Sequence, residues 1–338
     1  MNNQTTYIKR PQTRAEWLAA RKPFVGGSEV AAICGLSPWK TPVDVFLDKT
    51  GRAPAEDETE DLDATLPLRL GNVLEQFAAD EYTLRTGRET RNFGYMVTRG
   101  HALADVDRLV VPDGEKVASH HAEIRTSLLL EIKTTAHGEK FAEGVPDNYE
   151  AQVQQYLELT GAEKCDVAVL ILAPRAAFKV FPVYRDREVG AALVARIEKF
   201  WRECVETDTP PPAVNLDDAR ALYPNARPES RMDATPELLG LLRDLREAET
   251  MRKALEDRAD ALKGKIAAAM GDAEALFDGK VKLCTFKAPK PTERIDYKAA
   301  LVQTAEEFHL DPVRVGQIVH AHGTIVNPAR RFMLCAEK

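Results

Sequence analysis

The segment Leu128 to Thr135 reads LLLEIKTT, an apolar strand core carrying Glu131 and Lys133 two residues apart. Side chains alternate across a strand, so this spacing sets a carboxylate and an ammonium on one face while Leu130 and Ile132 point into a core. Burying such groups is costly unless each has a partner. A metal ion or a phosphate would be such a partner; an ordinary ion pair on a half-exposed strand satisfies the same pattern. Upstream, HALADVDRLVV predicts a second strand, with Asp105 and Asp107 on one face and Ala104, Val106 and Val110 on the other. Acids are disfavoured in mid-strand. A hard cation such as Mg²⁺, which takes oxygen ligands, would account for them, and so would a solvent-facing strand that turns at Pro112, Asp113 and Gly114.

Three further segments carry polar groups at informative spacing. PLRLGNVLEQFAADEY fits a helix on which Gly71, Glu75, Ala78 and Tyr82 share one stripe. The glycine lets that face approach a strand end closely, which suits a carboxylate reaching into a shared site; a solvated glutamate bordering the stripe is the other reading. PDNYEAQVQQYLELTG opens with Asp147 and Glu150 at capping-box spacing and closes on Gly161, predicting a helix of about three turns. Gln152 and Tyr156 then lie one turn apart. They either orient a phosphate or catalytic group, or leave Gln152 exposed and Tyr156 in the core. RAEWLAARKPFVGGSEVAAICGLSPW predicts a helix, a Gly-Gly turn and a second helix opening at Ser28, with Arg21 just upstream. A helix start attracts anions, so a phosphate could bind there. Ser28 as a simple N-cap, with Arg21 in solvent, is the alternative.

The elements that must position these residues belong to a chain of 338 residues, 44% hydrophobic and 29% charged. That is the mix of a globular protein long enough for two domains. No apolar run approaches the roughly 18 residues needed to span a bilayer, and the first residues contain no apolar signal core, so a cytoplasmic protein without membrane contact is expected. Five scattered cysteines (Cys34, Cys165, Cys204, Cys284, Cys335) without a C-x-x-C pair argue against a disulfide framework, a zinc ribbon or an iron–sulfur cluster. The net charge of −7 gives no global attraction for nucleic acid, so DNA binding would need a local basic groove.

Helix and strand signals alternate over 1–205, residues 206–234 read as a Pro-rich linker, and 235–338 as a long helix plus a small α/β module. Thr235 is expected to cap a helix beginning at Pro236, whose leucines form a coiled-coil-like seam interrupted by Arg252. KVKLCTFK suits a strand, and Asp296 and Asp311 are expected to cap two closing helices. The acidic run at 55–63 reads as a solvated loop. Lys280, Lys282, Lys287 and Lys290 either touch phosphates or protect a strand edge.

Taken in order, these blocks resemble the YqaJ-type viral recombinases, relatives of the phage lambda exonuclease in the PD-(D/E)XK nuclease superfamily. WLAARKPFVGGSEVAAICGLSPWKTPVDVFLDKTGR is similar to the family's N-terminal block, LRLGNVLE to its G-x-x-x-E helix and ADVDRLV to its metal-binding aspartate strand. LLLEIKTT is similar to its E-x-K strand, and YEAQVQQYLELTG to its Q-x-x-x-Y helix. The resemblance implies an α/β, restriction-endonuclease-like core, a central mixed sheet flanked by helices, followed by a mainly helical C-terminal module. It implies a deoxyribonuclease dependent on Mg²⁺, with Mn²⁺ the alternative ion. Asp107, Glu131 and the backbone carbonyl of Ile132 would hold the metal, and Glu75 would complete the acidic cluster. Lys133 would position or help deprotonate the attacking water, supported by Gln152 and Tyr156.

It further implies that Arg21 and Ser28 bind a 5′-phosphate at double-stranded DNA ends. Digestion would leave 3′ single strands for a single-strand annealing protein, in a phage- or prophage-encoded homo-oligomer acting in the bacterial cytoplasm. Relatives often read S-P-D-G around the metal-binding aspartate, whereas this chain reads Asp105-Val106-Asp107-Arg108 and lacks that serine. An endonuclease of the same superfamily and a non-cutting DNA-binding or assembly scaffold are the rival readings.

Overall fold

The computed structural model describes residues 4–53, 62–114, 118–120, 123–227, 229–288 and 297–321, in two units, Met1–Pro224 and Asn225–Lys338. In the first, the order is β1 (Thr6–Lys9), α1 (Arg14–Arg21), α2 (Gly27–Ile33), α3 (Pro42–Lys49), α4 (Leu62–Thr86), β2 (Thr90–Arg91), β3 (Tyr95–Arg99), β4 (Ala102–Ala104) and β5 (Arg108–Val110). The short pair β6 (Ser119–His120) and β7 (Glu123–Ile124) precedes β8 (Leu128–Thr135), α5 (Asp147–Thr160), β9 (Lys164–Ile171), β10 (Ala177–Tyr184), α6 (Arg187–Phe200) and α7 (Leu216–Leu222).

The five-stranded sheet runs β10-β9-β8-β5-β2 and is mixed, because β8 and β9 pair in parallel while its other pairs are antiparallel. A parallel pair needs a crossover, here supplied by α5. Helices cover both faces, so the centres of β8 and β9 are buried, with Leu129, Leu130, Val167, Ala168 and Val169 apolar on both sides of the sheet. Leu130, Ile132, Ala168 and Leu170 pack with Ala78, Ala79 and Tyr82 of α4. Leu129, Val167 and Val169 belong to the main core with Val153 and Leu157 of α5 and Val30 of α2. A buried knot fixes α4: the Tyr82 hydroxyl donates to Asp166 at 2.7 Å, and Arg88 and Lys164 pair with the same carboxylate at 3.2 and 2.8 Å. Burial pushes the Tyr82 phenol up to about 12. The arrangement is the predicted mixed α/β core.

Several local expectations are corrected. HALADVDRLVV is not one strand: β4 pairs in a small sheet β1-β3-β4, β5 pairs in the main sheet, and Asp105 and Asp107 lie on the crossing between them. Asp105 is held by Arg10 and by the Trp17 indole N–H (2.8 Å), and Asp107 accepts from the Ile132 N–H (2.8 Å), so the two carboxylates are drawn to different partners. No capping box forms at α5, since Pro146 is the N-cap and Asp147 the first helical residue; Gly161 ends the helix in the predicted left-handed conformation at φ +78°. Helix α2 begins one residue earlier than expected, with Gly26 as N-cap and its N–H donating to Glu29 at 2.6 Å, so Ser28 is an exposed first-turn residue. The stretch read as linker contains α7, whose buried Asp218 accepts from the Thr41 hydroxyl at 2.7 Å and the Val214 N–H at 2.8 Å.

In the second unit, α8 (Pro236–Met270) is capped by Thr235, which accepts from the Leu238 N–H at 3.3 Å. Its seam residues Leu241, Leu255 and Leu262 are exposed. Strands β11 (Ala275–Asp278) and β12 (Val281–Thr285) form a hairpin, of which only β12 is predicted by the sequence pattern. Helices α9 (Tyr297–Glu307) and α10 (Pro312–Ala321) follow, the latter capped by Asp311. Asp296, Lys290, Cys335 and most of the acidic 55–63 run lie outside the described residues. Cys34, Cys165, Cys204 and Cys284 are free thiols.

The first unit also holds an acid-sensitive brace. Glu158 on α5 accepts from Arg99 of β3 at 2.6 Å and from Arg185 at 2.9 Å. Burial acts to raise its carboxyl, but Arg185 and Arg99 outweigh it and hold the group below the usual carboxylate range. A lowered folded value stabilises at pH above the ordinary carboxylate range, and this contribution is lost as pH falls through the folded value. Glu158→Gln is expected to cost about 1.5 kcal/mol near neutral pH and to flatten the acid limb of stability, read from urea unfolding midpoints across pH.

Candidate active site

Strand β8 runs through the middle of the main sheet, and its alternation sets Glu131 and Lys133 toward α5. The Lys133 ammonium donates to Glu131 Oε1 at 2.6 Å and to Gln152 Oε1 at 3.2 Å. Gln152 Nε2 donates to the same Glu131 oxygen at 2.7 Å and to the Tyr156 hydroxyl at 3.1 Å. Glu131 is 2% exposed, and its other oxygen, Oε2, is buried without a hydrogen-bond partner. Such an orphaned acceptor is rare in a folded interior and calls for a cation or a donor. The expected face-sharing of Glu131 with Lys133 and of Gln152 with Tyr156 is therefore present, and Gln152 is buried rather than solvated.

Asp107 lies next to this group. Burial, and then the negative charge of Glu131, holds its carboxyl well above the usual range against the opposing pull of Lys133. Burial acts to lower the Lys133 ammonium, but Glu131 and Asp107 outweigh it, so the group is raised and stays protonated. Burial, followed by Glu131, also pushes the Tyr156 phenol well up and keeps it neutral. One ammonium thus serves the buried Glu131 through a hydrogen bond and the partly buried Asp107 through its charge.

The Ile132 N–H reaches Asp107 on the side that β5 leaves open beyond the Arg108–Leu130 pairing. A strand residue's N–H and C=O point to the same side, so the Ile132 carbonyl faces Asp107 as well. Asp107, Glu131 and this carbonyl make an all-oxygen donor set of the kind hard divalent cations take. With the orphaned Glu131 oxygen, these residues fit such an ion.

Glu75 does not join them. It pairs with the buried Arg108 guanidinium, which also donates to the Asp107 backbone oxygen at 2.7 Å. Among the described residues, no three acidic, histidine or cysteine side chains converge tightly enough to hold a metal. Of the acidic cluster expected from the sequence, Asp107 and Glu131 lie close enough for their charges to interact, whereas Glu75 pairs with Arg108 instead of completing it. Asp105 is bound into the Arg10–Trp17 contact and reaches the site only through its charge on Tyr156.

Arg21 stacks over Trp17 at 4.3 Å, with its guanidinium 3.8 Å from Glu29. A Cβ on Gly26 would collide with that guanidinium, and one on Gly27 would overlap Gln152 Cγ and stand 2.8 Å from Tyr156. The Gly-Gly pair thus brings Arg21 and the start of α2, with Ser28, against the face of α5 that carries Gln152. This role is missed by reading the glycines as a turn. Tyr149 is missed too: Lys133 lies 4.8 Å from its ring centroid. Its spacing of three before Gln152 on one helix face is the available signal.

A mixed α/β core with an E-x-K strand at the centre of its sheet is the class that this fold and site define. The chain belongs to the YqaJ-like viral recombinase family. The model of the YqaJ-like viral recombinase domain matches residues 16–163. The uncharacterized protein YqaJ of Bacillus subtilis (strain 168) is 30% identical over 298 residues, covering 85% of this chain and 86% of that protein, so the similarity extends beyond the first unit. The uncharacterized protein R354 of Acanthamoeba polyphaga mimivirus is 25% identical over 166 residues, 46% of this chain and 28% of that protein. Similarity to solved structures is remoter. An alkaline exonuclease from Laribacter hongkongensis shares 22% identity at a TM-score of 0.43, over 58% of this chain and 94% of that one. A phage related exonuclease from Haemophilus somnus 129PT shares 14% at 0.38, over 55% and 96%. No helix among the described residues is long and apolar enough to cross a membrane.

Proposed function

We propose that this chain is a deoxyribonuclease dependent on a divalent cation, Mg²⁺ or Mn²⁺, that digests linear duplex DNA from 5′ ends and leaves 3′ single strands. The observation that carries the proposal is the buried Glu131 carboxylate, with one oxygen orphaned, the other held by Lys133 and Gln152, and Asp107 close enough to feel its charge. Asp107, Glu131 and the Ile132 carbonyl would hold the cation, which when bound supplies Lewis-acid polarisation of the phosphate and a more acidic water. Lys133, kept protonated, orients the attacking water and donates to the phosphate oxygens as negative charge develops on them. Gln152 fixes the Glu131 and Lys133 rotamers, and Tyr156 anchors Gln152 from behind. Glu75 restrains Arg108, which in turn holds the Asp107 backbone. Arg21, with Ser28 in the first turn of α2, would receive a terminal 5′-phosphate. The product strand is what a single-strand annealing protein takes up, and the reaction belongs in the bacterial cytoplasm.

The test uses the purified chain with 5′-phosphorylated linear duplex, 5′-hydroxyl linear duplex and closed-circular DNA, each with Mg²⁺ and with EDTA. Mg²⁺-dependent loss of the linear substrates alone, fastest with the 5′-phosphate, is expected. The pairing of Asp105 with Arg10, where relatives often carry a serine, favours one second reading, an endonuclease without end preference. Cutting of the circle would select it. DNA binding with no cutting under any condition would leave the non-cutting scaffold.

For the second unit we propose sequence-independent phosphate binding by the hairpin lysines. Lys280 and Lys282 are exposed there, and Lys287 pairs with Glu274 at 3.3 Å. Substituting all three by alanine is expected to weaken DNA binding and to shallow the slope of log affinity against log salt by about one for each phosphate left unneutralised. An unchanged slope would reject this role.

A further inference from the structure

We infer that a pocket beside the candidate active site, walled by Ser28, Trp39, Lys40, Asn148, Tyr149 and Gln152, holds one nucleobase of the cleaved strand stacked on Trp39. The inference rests on the nuclease reading and deepens it by naming a substrate subsite. The pocket measures about 130 Å³, close to the roughly 150 Å³ of a cavity that accepts a benzene ring. Trp39 is 63% exposed, whereas tryptophan is on average well buried.

The ring is not on a loose loop. The Ser37 hydroxyl accepts from the Trp39 and Lys40 N–H groups at 3.3 and 3.2 Å. The Leu36 and Ser37 N–H groups both donate to the Ala31 carbonyl of α2, at 2.9 and 3.2 Å. Behind Trp39 the Tyr149 ring lies 6.1 Å away, tilted by 38°, and is itself stacked on Phe141 at 5.9 Å. The indole is thus an aromatic platform fixed by its turn and backed by two further rings.

Position and charge select the occupant. Tyr149 has Trp39 beside it and the Lys133 ammonium 4.8 Å from its centroid. Gln152 both lines the pocket and binds Glu131. The pocket is therefore one ring away from the groups assigned to the scissile phosphate, within reach of a base on the reacting nucleotide. Its walls offer one cation, Lys40, and no carboxylate, with Ser28 and Asn148 able to meet polar base edges. Base stacking on an aromatic side chain tolerates every base, which suits an enzyme that must digest any sequence.

The experiment compares the unchanged full-length chain, Trp39→Ala and Trp39→Phe on 5′-phosphorylated duplexes whose terminal nucleotides on the cleaved strand either carry bases or are abasic. Affinity is measured in EDTA and cleavage in Mg²⁺. The unchanged chain is expected to bind the base-bearing end about tenfold more tightly than the abasic one. Trp39→Ala should lose that preference, and Trp39→Phe should keep most of it. Equal discrimination in all three proteins, or none in the unchanged chain, overturns the inference, while cleavage in the same samples still supports the nuclease reading. Discrimination that follows Trp39 without any cleavage in Mg²⁺ supports the subsite and rejects the nuclease reading.

Discussion

Lys133→Ala is expected to reduce DNA cleavage by about two to three orders of magnitude, the scale seen when one preorganised donor is removed from a reacting centre. Its ammonium is the only cation hydrogen-bonded to Glu131 among the described residues, and the proposed mechanism has it donate to the phosphate oxygens. Folding should survive, because Gln152 still satisfies Glu131 Oε1. Glu131→Gln should abolish cleavage by a different route, since it removes an oxygen donor and its charge. The two variants separate in a thermal unfolding assay with Mg²⁺. A ligand that binds only the folded state raises its stability in proportion to the logarithm of its concentration over Kd. That rise should persist in Lys133→Ala and vanish in Glu131→Gln.

The pH dependence has a fixed sign. The raised Asp107 carboxyl contributes stability that is fully present below the ordinary carboxylate value and is lost as pH rises through the folded value. Stabilisation by a divalent cation should grow over that same rise. Cleavage by Lys133→Ala within tenfold of the unchanged chain would show that this ammonium does not act at the phosphate.

Gly27→Ala, the addition of one methyl group, is expected to lower cleavage about a hundredfold and stability by about 1–3 kcal/mol. Gly27 lies in ordinary helical backbone, so the glycine is needed for close approach and not for an unusual conformation. Its added Cβ would meet Gln152 near the base of the side chain and the ring of Tyr156, neither of which can swing aside as a flexible tip can. Helix α5 cannot retreat either: Gln155 is fully buried and donates to the Val25 and Leu103 carbonyls, both at 2.9 Å. Gln152 must then move and take Glu131 and Lys133 out of register. Gly26→Ala makes the contrast, because it presses on the end of the Arg21 side chain. It should spare stability while weakening any preference for a 5′-phosphate. An unchanged melting temperature together with unchanged kcat for Gly27→Ala would mean that α2 and α5 part at little cost.

What the sequence discloses and what it conceals divide along the range of the interactions. Glu131 with Lys133, and Gln152 with Tyr156, follow from strand and helix periods, and those periods hold because β8 and α5 are covered by packing that leaves no freedom of phase. Asp105 and Asp107 break the pattern because the partners of Asp105, Arg10 and Trp17, lie 95 and 88 residues away in the chain. Those contacts turn the backbone from one sheet into the other, and alternation in HALADVDRLVV carries no trace of them. Glu75 shows a related failure. Its helix face is read correctly, but Arg108 captures the carboxylate, and that pairing depends on how α4 crosses the sheet. Helix α7 is concealed for a third reason: its single buried acid is anchored by Thr41, a residue that already caps α3.

The parallel pairing of β8 with β9 bears on when the site can exist during synthesis. The strand carrying Glu131 and Lys133 finds this neighbour only after the intervening α5, with Gln152 and Tyr156, and then residues 164–171 have been made. Contacts so distant along the chain form late, after the entropy of closing a long loop has been overcome. A nascent chain that has displayed every carboxylate of the site therefore still lacks the scaffold that aligns them. The order of strands thus delays assembly of the candidate site until residues 164–171 have been made.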